Sequence, residues 1–533
     1  MVDRARLESG STCEGTGSSN LPLSAIANFS IFPCVKLVEM PNELLERLDQ
    51  WKRLFDPARV AELQTLLTNL GGEKFAGARD LILLHETLLF LRAYPASEAT
   101  ARISDEILYS FDRRIPADLD PFEDPEVSGI AGTSVTATFS YEVARWLAAL
   151  EPRNVEIAWD RYDDPDRLGS GLRKLLPMLH EDWPVEAHVP YPQWVSAAHP
   201  RRQSDLGWLL SRVQDADTYD SMQIPVTWRI GSSRYSRSRL RLPVRKLYLH
   251  REPLLKRSDI SLERELANPP LTISRLDRPQ ARRILDLIVA TSAIRYRELY
   301  GFSHPDEGGV YHTHAGRGVD IYFFGVPPEW RLPLRAYHGG MFFKNGVPAG
   351  YVELLSFFER AEVGFNLYYT FREGESAWLY ARLLRLFHQI LGVTCFSVDP
   401  YQIGHENSEA IASGAFWFYR KLGFRPTEPE VASLVAREER RMSKTHGYRS
   451  SKSTLERLAD GYILYEIPGT ATGEWDGFRI RTLAQRLQGG GAAERKAIAQ
   501  LARAKAHGPE TRYLRWMQGQ KSLREQLIRW GTT

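Results

Sequence analysis

Tyr419 stands in the run SGAFWFYRKLGFRP (413–426), one short turn before Gly423, with two cations between them. A phenol in that position is either a core ring with a satisfied hydroxyl or a group that exchanges a proton. Three carboxylates, Glu353, Glu362 and Asp399, lie in strand-like segments upstream. The bland reading makes each a surface or structural acid. His312-Thr313-His314 has no acid or cysteine at a ligand spacing beside it, so no metal is expected. SGIAGTS (128–134) carries glycines without forming a nucleotide loop, and neither a GxSxG elbow nor a Walker loop occurs. Cys13, Cys34 and Cys395 are odd in number and widely separated, which fits neither a disulfide framework nor a zinc site and suits a reducing compartment.

The elements that must position these groups become orderly from about residue 260. PPLTISRLD (269–277) reads as a strand, and 278–302 as a helix with Ile284, Leu285, Ile288 and Val289 in its stripe. In MFFKNGVPAGYVELLSFF (341–358), Asn345-Gly346 between two apolar runs signals a β-hairpin. EVGFNLYYT (362–370) alternates Val363, Phe365, Leu367 and Tyr369 with Gly364, Asn366, Tyr368 and Thr370, a strand with two faces. Gly364 inside it predicts a bulge. A helix begins near Ala377, buries Tyr380, Leu383, Leu384 and Phe387, and ends at Gly392. VTCFSVDP (393–400) is a short buried strand. Asn407 or Ser408 caps the last helix, which carries Tyr419, and YILYEIP (462–468) is a candidate closing strand.

This order, and above all FYRKLGF at 418–424, resembles the Gcn5-related N-acetyltransferase family over roughly residues 270–425. The resemblance implies a mixed sheet flanked by helices, acetyl-coenzyme A as co-substrate and acyl transfer to an amine. It implies that Tyr419 protonates the departing thiolate and that Glu353 or Glu362 serves as general base, with Asp399 as a third candidate. A strand splayed from its neighbour, here Phe365, Leu367 and Tyr369, would offer free amides to the coenzyme arm and the oxyanion. The loop and helix start at 372–377 would hold the pyrophosphate through Arg372, Gly374, Ser376 and Ala377. In that loop Glu375 takes the family's central glycine position, and Gly374 stands one place early. Asn407 would supply the family's asparagine, because the usual position, seven residues before the tyrosine, is Ala412.

The rest of the chain sets the scale. At 533 residues it exceeds one ordinary core, and 43% hydrophobic with 25% charged residues fits a globular protein. The expected fold class is α/β (α+β), divided into a flexible tail (1–30), a helical region (31–127), a mixed α/β region (128–260), the acetyltransferase-like domain (265–467) and a basic helical tail (468–533). The tail lacks the apolar core of a signal peptide, and no run of about 18 apolar residues occurs, so a cytoplasmic protein without membrane contact is expected. IPADLDPFEDP (115–125) reads as an acidic loop.

A net charge of +3 dictates no partner, but it is unevenly spread. Residues 228–257 hold ten cations against Glu252 alone, and from 481 onward eleven cations face Glu494, Glu510 and Glu525. A strand over Arg237, Arg239 and Arg241 would put all three on one face, either to grip phosphate or RNA or as a solvated edge. The C-terminal segment reads as an exposed helical appendage, with RNA or partner binding as the sharper alternative. An N-acyltransferase with an unidentified amine acceptor, small molecule or protein, is the leading expectation. A non-catalytic binding module is the alternative that Glu375 and Ala412 favour, and an aminoacyl-tRNA-dependent transferase on the same fold is the third.

Overall fold

Alternating apolar residues between 311 and 367 build a long antiparallel meander, the spine of the structure. This computed structural model describes residues 41–532 except 76, 117–121, 296–297, 333, 471–472 and 504–510. The tail 1–30, Cys13, Cys34, residues 117–121 of the acidic loop, Lys505 and Glu510 lie outside the described residues. The described chain is mixed α/β, with 23 helices and two sheets. Four helices (Pro41–Trp51, Pro57–Gly72, Ala78–Ala93, Glu98–Tyr109) come first. A small antiparallel sheet follows, built from β1 (Ser134–Thr138), β2 (Val155–Ile157) and β3 (Pro225–Arg229) in the order β1-β3-β2.

The large sheet contains β4 (Ile273–Arg275), β5 (Tyr311–Gly316), β6 (Val319–Gly325), β7 (Ala336–Lys344), β8 (Val347–Phe357), β9 (Arg360–Leu367), β10 (Cys395–Val398), β11 (Arg425–Pro426) and β12 (Ile463–Glu466). Their order is β11-β12-β10-β9-β8-β7-β6-β5-β4, and only β9 and β10 run parallel. Asn345 and Gly346 close the β7–β8 hairpin with φ of 47° and 81°, which explains why those two residue types stand there. The amphipathic helix Ser376–Leu391 covers one face, where Phe365 meets Tyr380 at 5.1 Å between ring centroids. The helix Arg278–Ala293 covers the other through Ile284, Leu285 and Ile288, against Phe324, Met341 and Phe343. Sheet and helices thus make three layers. Among the described residues no helix is long and apolar enough to cross a membrane.

Several local expectations change. The 278–302 helix stops at Ala293, and a short turn of helix (Tyr300–Ser303) follows. Gly414, at φ +66°, breaks the last helix into Ser408–Ser413 and Ala415–Arg420. Gly364 is no bulge, since it pairs in regular register with Glu353; the register shift of this region falls at Phe342/Phe343. No strand forms over 237–241. Arg237 is buried on Glu86 (2.8 and 2.9 Å), Arg239 holds Asp112 (2.8 Å) and Arg241 holds Asp105 (2.8 Å), so the three arginines do not share one outward face. The C-terminal helices are not an exposed appendage: Leu483, Leu487, Leu514, Met517 and Leu527 are buried in the main core, and Arg524 clasps Glu474 at 2.7 Å.

Candidate active site

β10 is only four residues long because Asp399-Pro400 ends it. Proline brings no N–H to a ladder, and the Asp399 carboxylate caps the turn by accepting from the Tyr401 amide at 2.9 Å. β9 therefore pairs with β10 only at Arg360, Ala361 and Glu362, then continues alone to Leu367. Along this free length the strand keeps its ladder to β8, and Tyr368 N–H donates to Ala349 at 3.0 Å. Antiparallel alternation then directs the amides of Phe365 and Leu367 away from β8, toward the opening. Two contacts agree: Phe365 N–H donates to Gln402 Oε1 at 3.4 Å, and Leu367 C=O accepts from Arg372 Nε at 3.4 Å.

A cavity of about 400 Å³ fills this gap. Tyr419 forms part of its wall, as do Glu353, Phe365, Leu367, Arg372, Ser376 and Asn407. Tyr419 is 4% exposed, yet it borders the cavity, and no described group hydrogen-bonds its hydroxyl. Burial holds this phenol above its ordinary value, so it stays protonated. Glu353 reaches the wall from β8, on the sheet face opposite the 376–391 helix. Burial raises its carboxyl above the usual range, against the opposing pull of the Tyr337 hydroxyl, which donates to it, and of Arg335. Asn407 serves mainly as a cap, accepting from Ala410 N–H at 3.0 Å and donating to Tyr401 C=O at 3.0 Å.

Other sequence candidates fall elsewhere. Glu362 shares the face of Glu353 but packs against Arg335, Arg360, Phe478 and Ile480 around a void of about 10 Å³. Asp399 is consumed as a cap and also accepts from Tyr462. Tyr369 is 58% exposed outside the cavity wall, and Ala377 is buried in the core. Gly374 is no phosphate cradle: a Cβ there would sit 2.4 Å from the Tyr94 hydroxyl, which itself bonds the Glu375 backbone. The acids of the loop do not face the opening unopposed. Glu375 turns inward to Arg317 (2.9 Å), Lys344 (3.7 Å) and the Leu255 amide (3.2 Å), and Glu373 is held by Lys52 at 3.0 Å. Burial pulls the Lys344 ammonium down to about 7 despite Glu375. No side chain of the N-cap residue Glu375 bonds the first-turn amides of the 376–391 helix, and Ser376 at its start lines the cavity with Arg372.

Sequence reasoning missed Gln402, Tyr351, Asn366, Tyr401 and Phe418 in this wall. Asn366 shares the Glu353 face by strand alternation and donates to the Tyr351 hydroxyl at 3.1 Å, so the period-two pattern carried a signal. Gln402 had none. It matters because a Cβ on Gly364 would lie 2.9 Å from its amide nitrogen, so glycine leaves room for this side chain in the gap.

A second constellation carries catalytic residue types. Ser238 Oγ lies 2.9 Å from His85 Nε2, and His85 Nδ1 lies 3.0 Å from Glu86 Oε1. The three residues are 2%, 0% and 7% exposed, the serine oxygen also accepts from Ala131 N–H at 3.0 Å, and burial holds the imidazole below its ordinary value. The arrangement has the distances of a nucleophilic triad without access for a substrate. His312 and His314 share one carboxylate, Asp320, at 2.8 and 3.2 Å. No family model matches this chain, and no curated protein or solved structure does.

Proposed function

We propose that the chain is an N-acyltransferase of the Gcn5-related type, moving an acyl group from a coenzyme A thioester to an amine. The observation that carries this reading is the opening between β9 and β10, with the Leu367 amide and the weakly held Phe365 amide along one side, a phenol at Tyr419 and a carboxylate at Glu353. The pantetheine arm would lie along β9, its amides exchanging hydrogen bonds with Phe365 and Leu367 as a surrogate strand. The pyrophosphate would meet Arg372 and the start of the 376–391 helix. The amine nitrogen attacks the thioester carbonyl, and its proton passes to the Glu353 carboxylate. An unpaired β9 amide steadies the oxyanion. As the C–S bond breaks, sulfur takes the electron pair and Tyr419 donates to it, leaving an amide and the free thiol.

Calorimetry with coenzyme A tests this directly. A ligand at one hundred times its Kd adds about 2.7 kcal/mol to stability, which a thermal melt also reads. Absence of both heat and melting shift at millimolar coenzyme overturns the proposal. A module that binds without turnover is the second reading, favoured by Tyr94 occupying the Glu375 amide and the space above Gly374. Binding without acyl transfer to any amine would decide for it. The tRNA-dependent reading gains no support from Arg237, Arg239 and Arg241, whose charges are met internally.

A further inference from the structure

Between Arg437 and Arg457 the chain carries seven cations and three acids, and two of the acids are spent locally. The Glu438 carboxylate is buried, accepting from Arg441 at 2.9 Å, Tyr448 at 3.0 Å and Ser450 at 2.6 Å. Glu439 is held by Arg420 at 2.8 Å, which leaves Glu456 alone. The bonds to Glu438 also tie the 445–450 loop to the helix Pro429–Lys444, and Trp417 fixes the loop further by donating to Ser450 at 3.2 Å. Arg437, Arg440, Lys444, Arg449 and Lys452 are exposed on this frame, and none has a side-chain partner among the described residues. Arg437, Arg440, Arg441 and Lys444 recur at i, i+3, i+4 and i+7, one stripe of the helix, while Val431, Leu434, Val435 and Glu438 are turned to the core. The helix dipole accounts for Arg441 and Lys444 in the last turn, but not for Arg437, nor for Arg449 and Lys452 beyond the helix end. Among the described residues no large apolar side chain between 429 and 457 is exposed.

We propose that this helix and the 445–452 segment are a docking surface for double-stranded DNA, held through its phosphates and without base readout. The proposal goes beyond the acyltransferase reading and does not depend on it. Free guanidinium and ammonium groups at this density call for a polyanion. An acidic protein partner would need apolar side chains for the centre of its interface, and none is exposed here. A lipid surface takes up the apolar face of an amphipathic helix, and here that face is already in the core. Single strands are gripped through exposed aromatic rings, which the patch lacks. The length of the row selects a DNA duplex. At about 1.5 Å per residue, Arg437 and Lys444 lie roughly 10 Å apart along the helix, close to the width of about 12 Å of the B-form major groove. Cations at the two ends of the row therefore reach phosphates of both strands. The major groove of an RNA duplex is narrow and shuts a helix out.

The test is fluorescence anisotropy on the full chain with short labelled DNA duplexes of two unrelated sequences. Both should bind equally. With five phosphates neutralised, log affinity should fall against log salt with a slope of about −4.5, a loss of about five hundredfold between roughly 50 and 200 mM salt. Arg437→Ala, Arg440→Ala, Lys444→Ala and Arg449→Ala combined should cut affinity at least about tenfold at low salt and bring the slope to about −1. The milder pair Arg437→Gln and Lys444→Gln should flatten the slope by about 2. These side chains are all exposed, and an unchanged melting temperature separates a lost contact from lost folding. Lys496→Ala, an exposed position on the helix Ala492–Arg503, should change nothing. No binding at low salt, an unmoved slope in the pair variant, tighter binding of duplex RNA, a single strand or poly-glutamate, or an equal loss in Lys496→Ala each overturns the inference. None of these outcomes touches coenzyme A binding, so the acyltransferase reading stands or falls separately.

Discussion

Two regions of this molecule gather catalytic residue types, and they differ in one respect. At the β9–β10 opening, Tyr419 and Glu353 border about 400 Å³ of space, and the phenol has no described partner. In the Ser238–His85–Glu86 cluster the side-chain polar atoms of all three residues are already engaged: the serine by Ala131 and His85, the glutamate by His85, Arg237 and Thr370. The first region keeps its groups under-satisfied beside a cavity, where a reacting molecule can complete them. The second satisfies them fully, as a buried polar network must. Distances alone would rank the second as the better active site; space and unmet bonding reverse that order.

The comparison breaks most visibly at Arg237. Arg237→Ala strands the Glu86 carboxylate in the interior, and a denaturant titration should show a loss of about 3–5 kcal/mol. Activity per folded molecule should hold. Loss of turnover without loss of stability would move the chemistry to the wrong region. Next, Glu353→Gln should lower kcat about a hundredfold or more, the usual cost of removing a general base, with coenzyme affinity and melting temperature little changed. Tyr419→Phe is expected to lower kcat by about tenfold in the same assay and to spare binding, since the ring remains. Equal kcat in that variant would leave the phenol a packing residue.

pH separates the two regions by sign. Burial opposes ionisation of Glu86, but the charge of Arg237 and the hydrogen bond from His85 prevail and hold its carboxyl at about 2. The unfolded carboxyl titrates near 4.5, so this pair contributes stability that is present above 4.5 and lost as pH falls toward 2. Glu353 shifts the other way. Its raised folded value means the folded chain binds the extra proton, so its contribution to stability declines as pH rises from 4.5 through that value. Its activity as a base should rise over the same window, and a kcat/KM profile in the wild type and Glu353→Gln tests it. The smallest effect belongs to Gln402, whose amide fills part of the gap through a long 3.4 Å contact with Phe365 N–H. Gln402→Ala should tighten coenzyme A binding about twofold by calorimetry, since a competing bond worth about 0.5 kcal/mol is gone.

What could be read in advance was local. Asn345-Gly346 announced its hairpin, Gly392 its helix end, and YILYEIP its strand, because φ preferences and period-two patterning act over a few neighbours. The wall residues Tyr419, Glu353, Phe365, Leu367, Arg372, Ser376 and Asn407 were reachable for the same reason, through a strand, a loop and two helix starts whose order is visible in one dimension. Glu362 and Glu353 could not be told apart, since both lie on one sheet face and only the C-terminal segment around Phe478 and Ile480 covers the first. Glu375 read as a hazard to phosphate until Arg317 and Lys344, 58 and 31 positions earlier, were brought beside it.

By itself, the sequence determined the 345–346 hairpin, the strands within 362–370, 393–400 and 462–468 and the helix that ends at Gly392, because these follow from backbone sterics and the spacing of apolar residues. The tertiary structure decided which charged groups are spent on one another, which carboxylate borders open space, and that Arg237, Arg239 and Arg241 each meet an acid of the fold. Those outcomes depend on partners far away in the chain, and burial sets the worth of a charge only once the partner is in place.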